Sequence, residues 1–306
     1  MMQAQRHRLS GQRWHFQHGP IDLLISADGD AAAVEAAHAA AWERFEQLLP
    51  ELVQELAQLR LAVPYQNLAC PLQGPVARRM WHACKPFGNA FITPMAAVAG
   101  AVAQEIVASY QRPGIDRAWV NNGGDIALHL LPGQSLRVGL YADIAKLDAA
   151  QLQDQLVLDG QFSVNAAMPV RGVATSGWRG RSFSMGIADS VTVLARTAAQ
   201  ADAAATVIAN AVNVNDARVQ RAPASALKDD SDLGDRLVTT HVPLLEPRLV
   251  QQALQAGLAK ARALRACGLV FSAVLVCQQQ VLTTGKNVPI RATPRAHSER
   301  HGLVLA

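Results

Sequence analysis

Trp119-Val120-Asn121-Asn122-Gly123-Gly124-Asp125-Ile126 decides how this chain is read. A β-like run enters two adjacent glycines, and an aspartate opens the next apolar run. Glycine reaches positive φ without a Cβ clash, so such a pair lets backbone approach a phosphate or a flat ring. The same letters also make a β-bulge or turn in which Asp125 satisfies backbone N–H groups. The spacing matches neither G-x-G-x-x-G nor a P-loop, so on its own the stretch leaves both readings open.

Working outward, residues 117 to 121, 125 to 131 and 136 to 142 read as strands of an antiparallel meander, the last two parted by Pro132-Gly133. Upstream, residues 13 to 18 and 20 to 27 form an opening hairpin around His18-Gly19-Pro20. Asp30 is placed to cap a helix over Ala31 to Leu49, with Pro50 ending it or opening another through Leu59. Thr93 and Pro94 give an N-cap and N1 pair for a helix of small residues reaching Tyr110. Downstream, Ser182 to Ala188 and Ser190 to Ala195 read as strands, followed by a helix from about Thr197 through Asn210. Residues 216 to 235 have no period and read as an exposed, mobile connection. A last helix, Arg248 to Ala266, precedes a strand over Leu269 to Val276 and a return strand near Gln280 to Leu282. Antiparallel hairpins with several long helices argue for an α+β fold rather than a doubly wound parallel sheet.

Composition bounds the function. The chain has 306 residues, 50% hydrophobic and 17% charged, enough for a large core and against disorder over most of its length. The formal charge of +4 is modest and few aromatics interleave with the arginines, which argues against nucleic-acid binding. Lys286, Arg291, Arg295 and Arg300 gather in a tail that, with His297 and His301, is expected to be solvated and either poorly ordered or lying over the surface. No signal-peptide pattern opens the chain, and the apolar stretch from Pro94 to Tyr110 is too short for a bilayer and carries Gln104 and Glu105. A cytoplasmic protein without a membrane span is the expectation. The four cysteines, Cys70, Cys84, Cys267 and Cys277, show no zinc spacing and read as reduced, mostly buried thiols. His82, beside Trp81 and Cys84, reads as a partly buried, satisfied histidine.

Two later pieces carry chemistry. Thr175-Ser176-Gly177, followed by Arg179 and Arg181, offers donors to an anion, and equally makes a polar turn. Asp202 and Thr206 stand one helical turn apart, which puts a carboxylate and a hydroxyl on one face. Two hard oxygens at that spacing suit Mg²⁺; the alternative is an aspartate favoured by its own helix dipole, with Thr206 bonded to a carbonyl one turn back. Trp119 and Trp178 flank these pieces and serve either as stacking surfaces or as core.

Taken in order, these segments resemble the ApbE-type flavin transferases, which use FAD and a divalent metal to attach FMN to a protein Ser or Thr. Asn121 to Asp125 is similar to that family's V-N-x-G-G-D segment, Ala174 to Gly177 to its A-T-S-G, Ser190 to Val193 to its S-V-T-V, and Ala201 to Thr206 to its A-D-x-x-A-T. The resemblance implies Asp202 and Thr206 as Mg²⁺ ligands. It further implies Gly123, Gly124 and Asp125 as flavin-pocket residues; Asn122, Thr175, Ser176 and Gly177 join them as candidate FAD-binding residues, and Asp125 and Asp189 are taken as candidate bases, roles that spacing does not assign. Thr93 to Ala101 departs from the family helix, which begins with Lys-Gly, and instead resembles the G-P-M-A-A-V-A-G-A segment of an ApbE-like branch found in archaea and some bacteria. Flavin transferases also carry a His, an acidic-Pro pair and Thr-Gly where this chain has Phe183 to Ile187, and no histidine occurs between His129 and His241.

The implied architecture is related to the tunnelling fold, with antiparallel sheets backed by helices. It comprises one domain over residues 1–284, open to a division into two pseudo-repeated halves, and a tail over 285–306. The leading functional expectation is Mg²⁺-dependent binding or processing of FAD or a related nucleotide. One alternative is a pterin- or purine-binding protein of one-carbon metabolism. Another is a non-catalytic assembly protein whose Ala-rich helices supply a homo-oligomer interface. The missing histidine segment leaves enzymatic activity open.

Overall fold

Gly123 and Gly124 take φ of +64° and +110°, and Asn122 pairs with Asp125 across them. A two-residue loop with positive φ at both positions has the twist that joins antiparallel strands, so the deciding stretch is a hairpin. The computed structural model describes residues 3–10, 13–64, 69–140, 160–285 and 303–305. Its strands are β1 (Gln5–Arg8), β2 (Trp14–His18), β3 (Ile21–Gly29), β4 (Ile115–Asn122), β5 (Asp125–Leu130), β6 (Ser135–Leu140), β7 (Gly160–Asn165), β8 (Gly172–Ser176), β9 (Ser190–Ala195), β10 (Gln220–Pro223), β11 (Leu237–His241), β12 (Ser272–Cys277), β13 (Gln280–Thr283) and β14 (Leu303–Leu305). The α-helices are α1 (Ala31–Gln54), α2 (Leu56–Leu59), α3 (Pro75–Cys84), α4 (Val98–Val107), α5 (Ala198–Ala211), α6 (Ala224–Leu227) and α7 (Pro247–Ala266).

The expected α+β architecture is present. Nine strands form one antiparallel sheet in the order β1-β2-β3-β4-β5-β8-β9-β12-β13. Within it the same succession occurs twice: hairpin β2-β3, helices, hairpin β4-β5, then hairpin β8-β9, helices, hairpin β12-β13. The two successions meet at β5 and β8, which pair only at Ile126↔Val173 and Ala127↔Gly172. Beyond Ile126 the seam opens, and there the Asp125 side chain accepts the Thr175 N–H at 3.1 Å.

The helices pack on one face of the sheet. α1 buries Val34, Ala37, His38, Ala41, Phe45, Leu48 and Leu52, an apolar stripe at helical spacing against the sheet. Asp30 caps it through the Ala33 N–H, as read. Pro50, expected at a helix boundary, instead lies inside α1. It and Glu46 are exposed, so the carbonyl that Pro50 leaves unpaired faces water. Thr93 does not cap through its side chain; its hydroxyl donates to Asp232, and a 3₁₀ turn, Pro94–Ala97, leads into α4. α4 lies hard against α5: a Cβ on Gly100 would stand 2.3 Å from the Ala198 carbonyl oxygen. Ten of the residues of α5 are buried, mostly alanines, which is what permits that approach.

Three other expectations need correction. The meander breaks after β5, because β8 takes its edge; β6 instead joins β7 and β14 in a small sheet. Leu136 and Val138 of β6 then pack on the outer face of the large sheet beside Trp119, Ile126 and Leu128. Ser182 to Ala188 is not a strand. Its polar groups go to the end of α5 and the residues after it, Met185 N–H to Asn210 Oδ1 at 2.9 Å and Ile187 N–H to the Val212 carbonyl at 2.8 Å, which leaves no strand ladder. Nor are residues 216 to 235 a featureless connection, since β10 and β11 pair within and beside them, with α6 between. Of the tail, residues 286–302 lie outside the described residues, and β14 pairs in parallel with β6. Cys84 and Cys277 are buried, Cys70 half-buried and Cys267 exposed, all free. His82 is exposed, with its ring edge-on to Trp81 at 5.1 Å.

Candidate functional site

The open seam between the two halves is the floor of a cleft of about 320 Å³. Asn122, Gly123 and Asp125 reach it from the β4–β5 turn, Thr175, Ser176 and Gly177 from the end of β8, and Asp202 and Thr206 from α5. Eight of the ten residues singled out in the sequence therefore line one cavity. Gly124 and Asp189 are not among its lining residues. Gly124 donates its N–H to Asn121 Oδ1 at 2.8 Å and shapes the turn. Asp189 accepts from the Gln278 N–H and from Trp178 Nε1 at 3.3 Å, and pairs with Arg179 at 3.3 Å, bracing the loop behind the cleft.

Backbone geometry holds the floor together. Asn122 Nδ2 donates to the Ala99 carbonyl at 3.2 Å, which ties the hairpin turn to the start of α4. Asp202 Oδ2 accepts the Gly100 N–H at 2.9 Å, so the carboxylate of one helix sits at the N-terminus of its neighbour. Such a position favours negative charge. It is the dipole of α4 that Asp202 meets, not that of its own helix. The Thr206 hydroxyl has no hydrogen-bond partner among the described residues, so the back-bonded alternative is not what is found. Thr175 Oγ1 is bonded to Thr192 Oγ1 at 2.8 Å.

The electrostatics are unusual for a structural site. Burial pushes the Asp125 carboxyl up to about 7, against the opposing pull of the Thr175 N–H and Arg181. Burial likewise raises Asp202 well above the usual carboxylate range, and the charge of Asp125 raises it further, while the N–H groups of Gly100 and Ala99 oppose. Two buried carboxyls, one of them raised further by the charge of the other, beside an unbonded hydroxyl, form a set of hard oxygens that a small divalent cation satisfies. Each carboxylate has about four acceptor directions. The hydrogen bonds described use only part of them.

The walls were not legible in the sequence. Phe91, Ile92, Met95, Phe183, Met185 and Leu233 supply apolar surface on which a flat ring can lie. A strap formed by Lys228 to Leu233 crosses the cleft: Arg60 meets Asp230 at 2.6 Å, Lys228 meets Asp230 at 3.6 Å, and Asp232 holds the Thr93 hydroxyl. Arg236 lies 3.5 Å over the Phe91 ring. These strap residues stand more than 100 positions from Thr93 and Asp125, and the only hint was the acidic cluster Asp229, Asp230 and Asp232 inside a segment without periodicity. Trp119 is core, packed on the outer face of the sheet, and Trp178 is half-buried beside Asp189. Among the described residues no group of three or more His, Cys, Asp or Glu side chains is arranged for a metal ion, so any cation here relies on two carboxylates, a hydroxyl and its ligand.

The sequence model of a protein family described as AbpE bacteria matches residues 4–285. The chain belongs to the ApbE-like superfamily. Two archaeal relatives of this ApbE-like protein are a UPF0280 protein of Methanopyrus kandleri, 37% identical over 66% of this chain and 75% of its own, and a UPF0280 protein of Methanothrix thermoacetophila, 37% identical over 59% and 66%. A third, from Methanospirillum hungatei, is matched over only 48% of its length, so the shared segments span from about half to three quarters of these relatives. Among solved structures, the apo flavinyl transferase ApbE of Pseudomonas stutzeri is 13% identical over 94% of this chain and 96% of its own, with a TM-score of 0.40. The match of the family model bears out the resemblance expected from the sequence at the level of the family. No helix among the described residues is long and apolar enough to cross a membrane.

Proposed function

We propose that this ApbE-like protein binds a flavin nucleotide such as FAD in the cleft together with Mg²⁺, and that the floor is arranged to act on its phosphate linkage. One observation carries the reading: Asp125 from the hairpin and Asp202 and Thr206 from α5 converge on a single cavity that also offers the apolar surfaces of Phe91, Met95, Phe183 and Met185. The donor set fits a hard cation, because the Asp202 carboxyl is raised by burial and by the charge of Asp125, and the nearby Thr206 hydroxyl has no hydrogen-bond partner among the described residues. Asp202 and Thr206 would hold the Mg²⁺. When bound, that ion would polarise a phosphoryl oxygen.

The remaining roles belong to the chain's own groups. Asp125 is fixed through Oδ1 by the Thr175 N–H and lines the cleft, and we assign it as the base that takes a proton from a nucleophile there. A carboxyl held near 7 by burial is matched to general base work at neutral pH. Asn122 and Gly123 bring the turn's backbone up to the ligand, and Thr175, Ser176 and Gly177 line the opposite lip. The phenylalanine and methionine walls take the ring and exclude water. Asp189 we assign to positioning, through its bonds to Gln278, Trp178 and Arg179.

Thermal unfolding with FAD, FMN, ADP and a pterin, each with and without Mg²⁺, tests this reading. A Mg²⁺-dependent shift with FAD supports it. Stabilisation by the pterin alone, or by none of the four, refutes it in favour of another heterocycle or of a non-catalytic role.

A further inference from the structure

Three cations line the cleft among the described residues: Arg60, Arg181 and Lys228. Two are engaged. Arg60 and Lys228 both pair with Asp230 of the strap. Arg181 makes no ion pair or hydrogen bond among the described residues, although it is exposed at the mouth of a cavity floored by Asp125 and Asp202. Its neighbour Arg179 is committed to Asp189 and is not part of the lining.

The position of Arg181 depends on the hairpin turn. A Cβ built on Gly123 would fall 1.3 Å from Arg181 Nη2 and 2.4 Å from its Cζ. The guanidinium therefore occupies the space in which any side chain at 123 would stand, resting on the turn between the cleft floor and solvent. Positive φ alone would tolerate asparagine at this position. A side chain there would push the exposed guanidinium off the turn.

Resting on the reading of the cleft as a nucleotide site, we propose that Arg181 is its phosphate-recognition residue, so that the cleft selects phosphorylated ligands over the corresponding nucleosides. A planar guanidinium presents paired N–H donors matched to phosphoryl oxygens. Carboxyl oxygens on the floor meet a phosphoryl group only across a cation, so Arg181 at the mouth is the unengaged side chain placed to meet it directly. The apolar walls recognise the ring and contribute equally whether or not the ligand is phosphorylated.

The test is titration calorimetry of the full chain, wild type and Arg181→Gln, Arg181→Lys and Asp202→Asn variants, with Mg²⁺ and each of ADP, inorganic pyrophosphate, FMN and riboflavin. Because Arg181 is exposed, its variants are expected to keep the wild-type melting temperature. Arg181→Gln should weaken ADP, pyrophosphate and FMN by about 10- to 100-fold, the span of one charge-assisted hydrogen bond, and leave riboflavin unchanged. Arg181→Lys should recover part of the loss. Undiminished affinity for the phosphorylated ligands in Arg181→Gln, or an equal loss for riboflavin, overturns the assignment. If wild type binds the phosphorylated ligands with Mg²⁺ and Asp202→Asn loses them while Arg181→Gln does not, the Arg181 inference falls and the nucleotide reading stands. If wild type binds none of them, both fall.

Discussion

Asp202→Asn should make the protein more stable when empty and unable to respond to Mg²⁺ and nucleotide. The amide retains an oxygen to accept the Gly100 N–H, which lies 2.9 Å from Asp202 Oδ2, so α4 and α5 keep their contact. What disappears is a buried charge next to another. A folded-state carboxyl raised from 3.8 contributes stability in full below that value and loses it as pH climbs through the raised value, near 7 for Asp125. At about 1.4 kcal/mol per pH unit, keeping Asp125 ionised at pH 8 works against folding by roughly 4 kcal/mol, and Asp202, raised by burial and by the charge of Asp125, adds a part of the same kind. Relieving that part is worth on the order of 1–2 kcal/mol, or about 2–4 °C in Tm. At pH 5 the gain should shrink, since the carboxyls are then largely protonated. Wild type with Mg²⁺-nucleotide at about 100 times Kd should gain about 2.7 kcal/mol, roughly 5 °C, and the variant nothing. Differential scanning calorimetry at both pH values reads all four quantities. A variant that melts lower when empty at pH 8, yet keeps the Mg²⁺-nucleotide shift, refutes the reasoning.

Three further outcomes follow from the geometry. His38 is buried, its Nδ1 lies 2.7 Å from the Tyr110 hydroxyl, and burial lowers its pKa to about 4, so it stays neutral in the fold while the unfolded chain protonates near 6.5. Its contribution is complete above 6.5 and lost as pH falls towards 4, by up to about 3 kcal/mol, and a His38→Gln variant should show a flatter decline of Tm over that window. Asp189→Ala strips acceptors from the Gln278 N–H and from Trp178 and should lower stability by about 2–4 kcal/mol in urea unfolding, while a Mg²⁺-nucleotide shift survives; loss of that shift with unchanged stability would place Asp189 in the site instead. Gly100→Ala puts a methyl 2.3 Å from the Ala198 carbonyl oxygen and must part α4 from α5, at a cost of about 1–3 kcal/mol and with weakened nucleotide binding because Asp202 is displaced.

The site was more legible than the fold around it. Residues 121 to 125, 174 to 177 and 201 to 206 each had two readings alone, and in the first case both apply: the glycines form a turn, and the turn forms the lip of the cleft. The cap at Asp30 could be read because a side-chain acceptor three residues before an unpaired N–H is a local matter. Pro50 misled because a proline on the wet face of a long helix leaves a carbonyl that water satisfies, and no local signal says which face it is. Ser182 to Ala188 misled because its hydrogen bonds run to α5 and the turn after it, a tertiary choice that alternation does not record. For the same reason the strap stayed hidden, its contacts to Arg60 and Thr93 lying far away along the chain.

The most direct test of the central claim is a calorimetric titration of the purified protein with FAD, in Mg²⁺ and then in excess EDTA, repeated with Asp202→Asn. Saturable binding that needs Mg²⁺ and vanishes in the variant is the predicted result. FAD binding that is indifferent to EDTA and to the substitution, or no binding under any of these conditions, contradicts it.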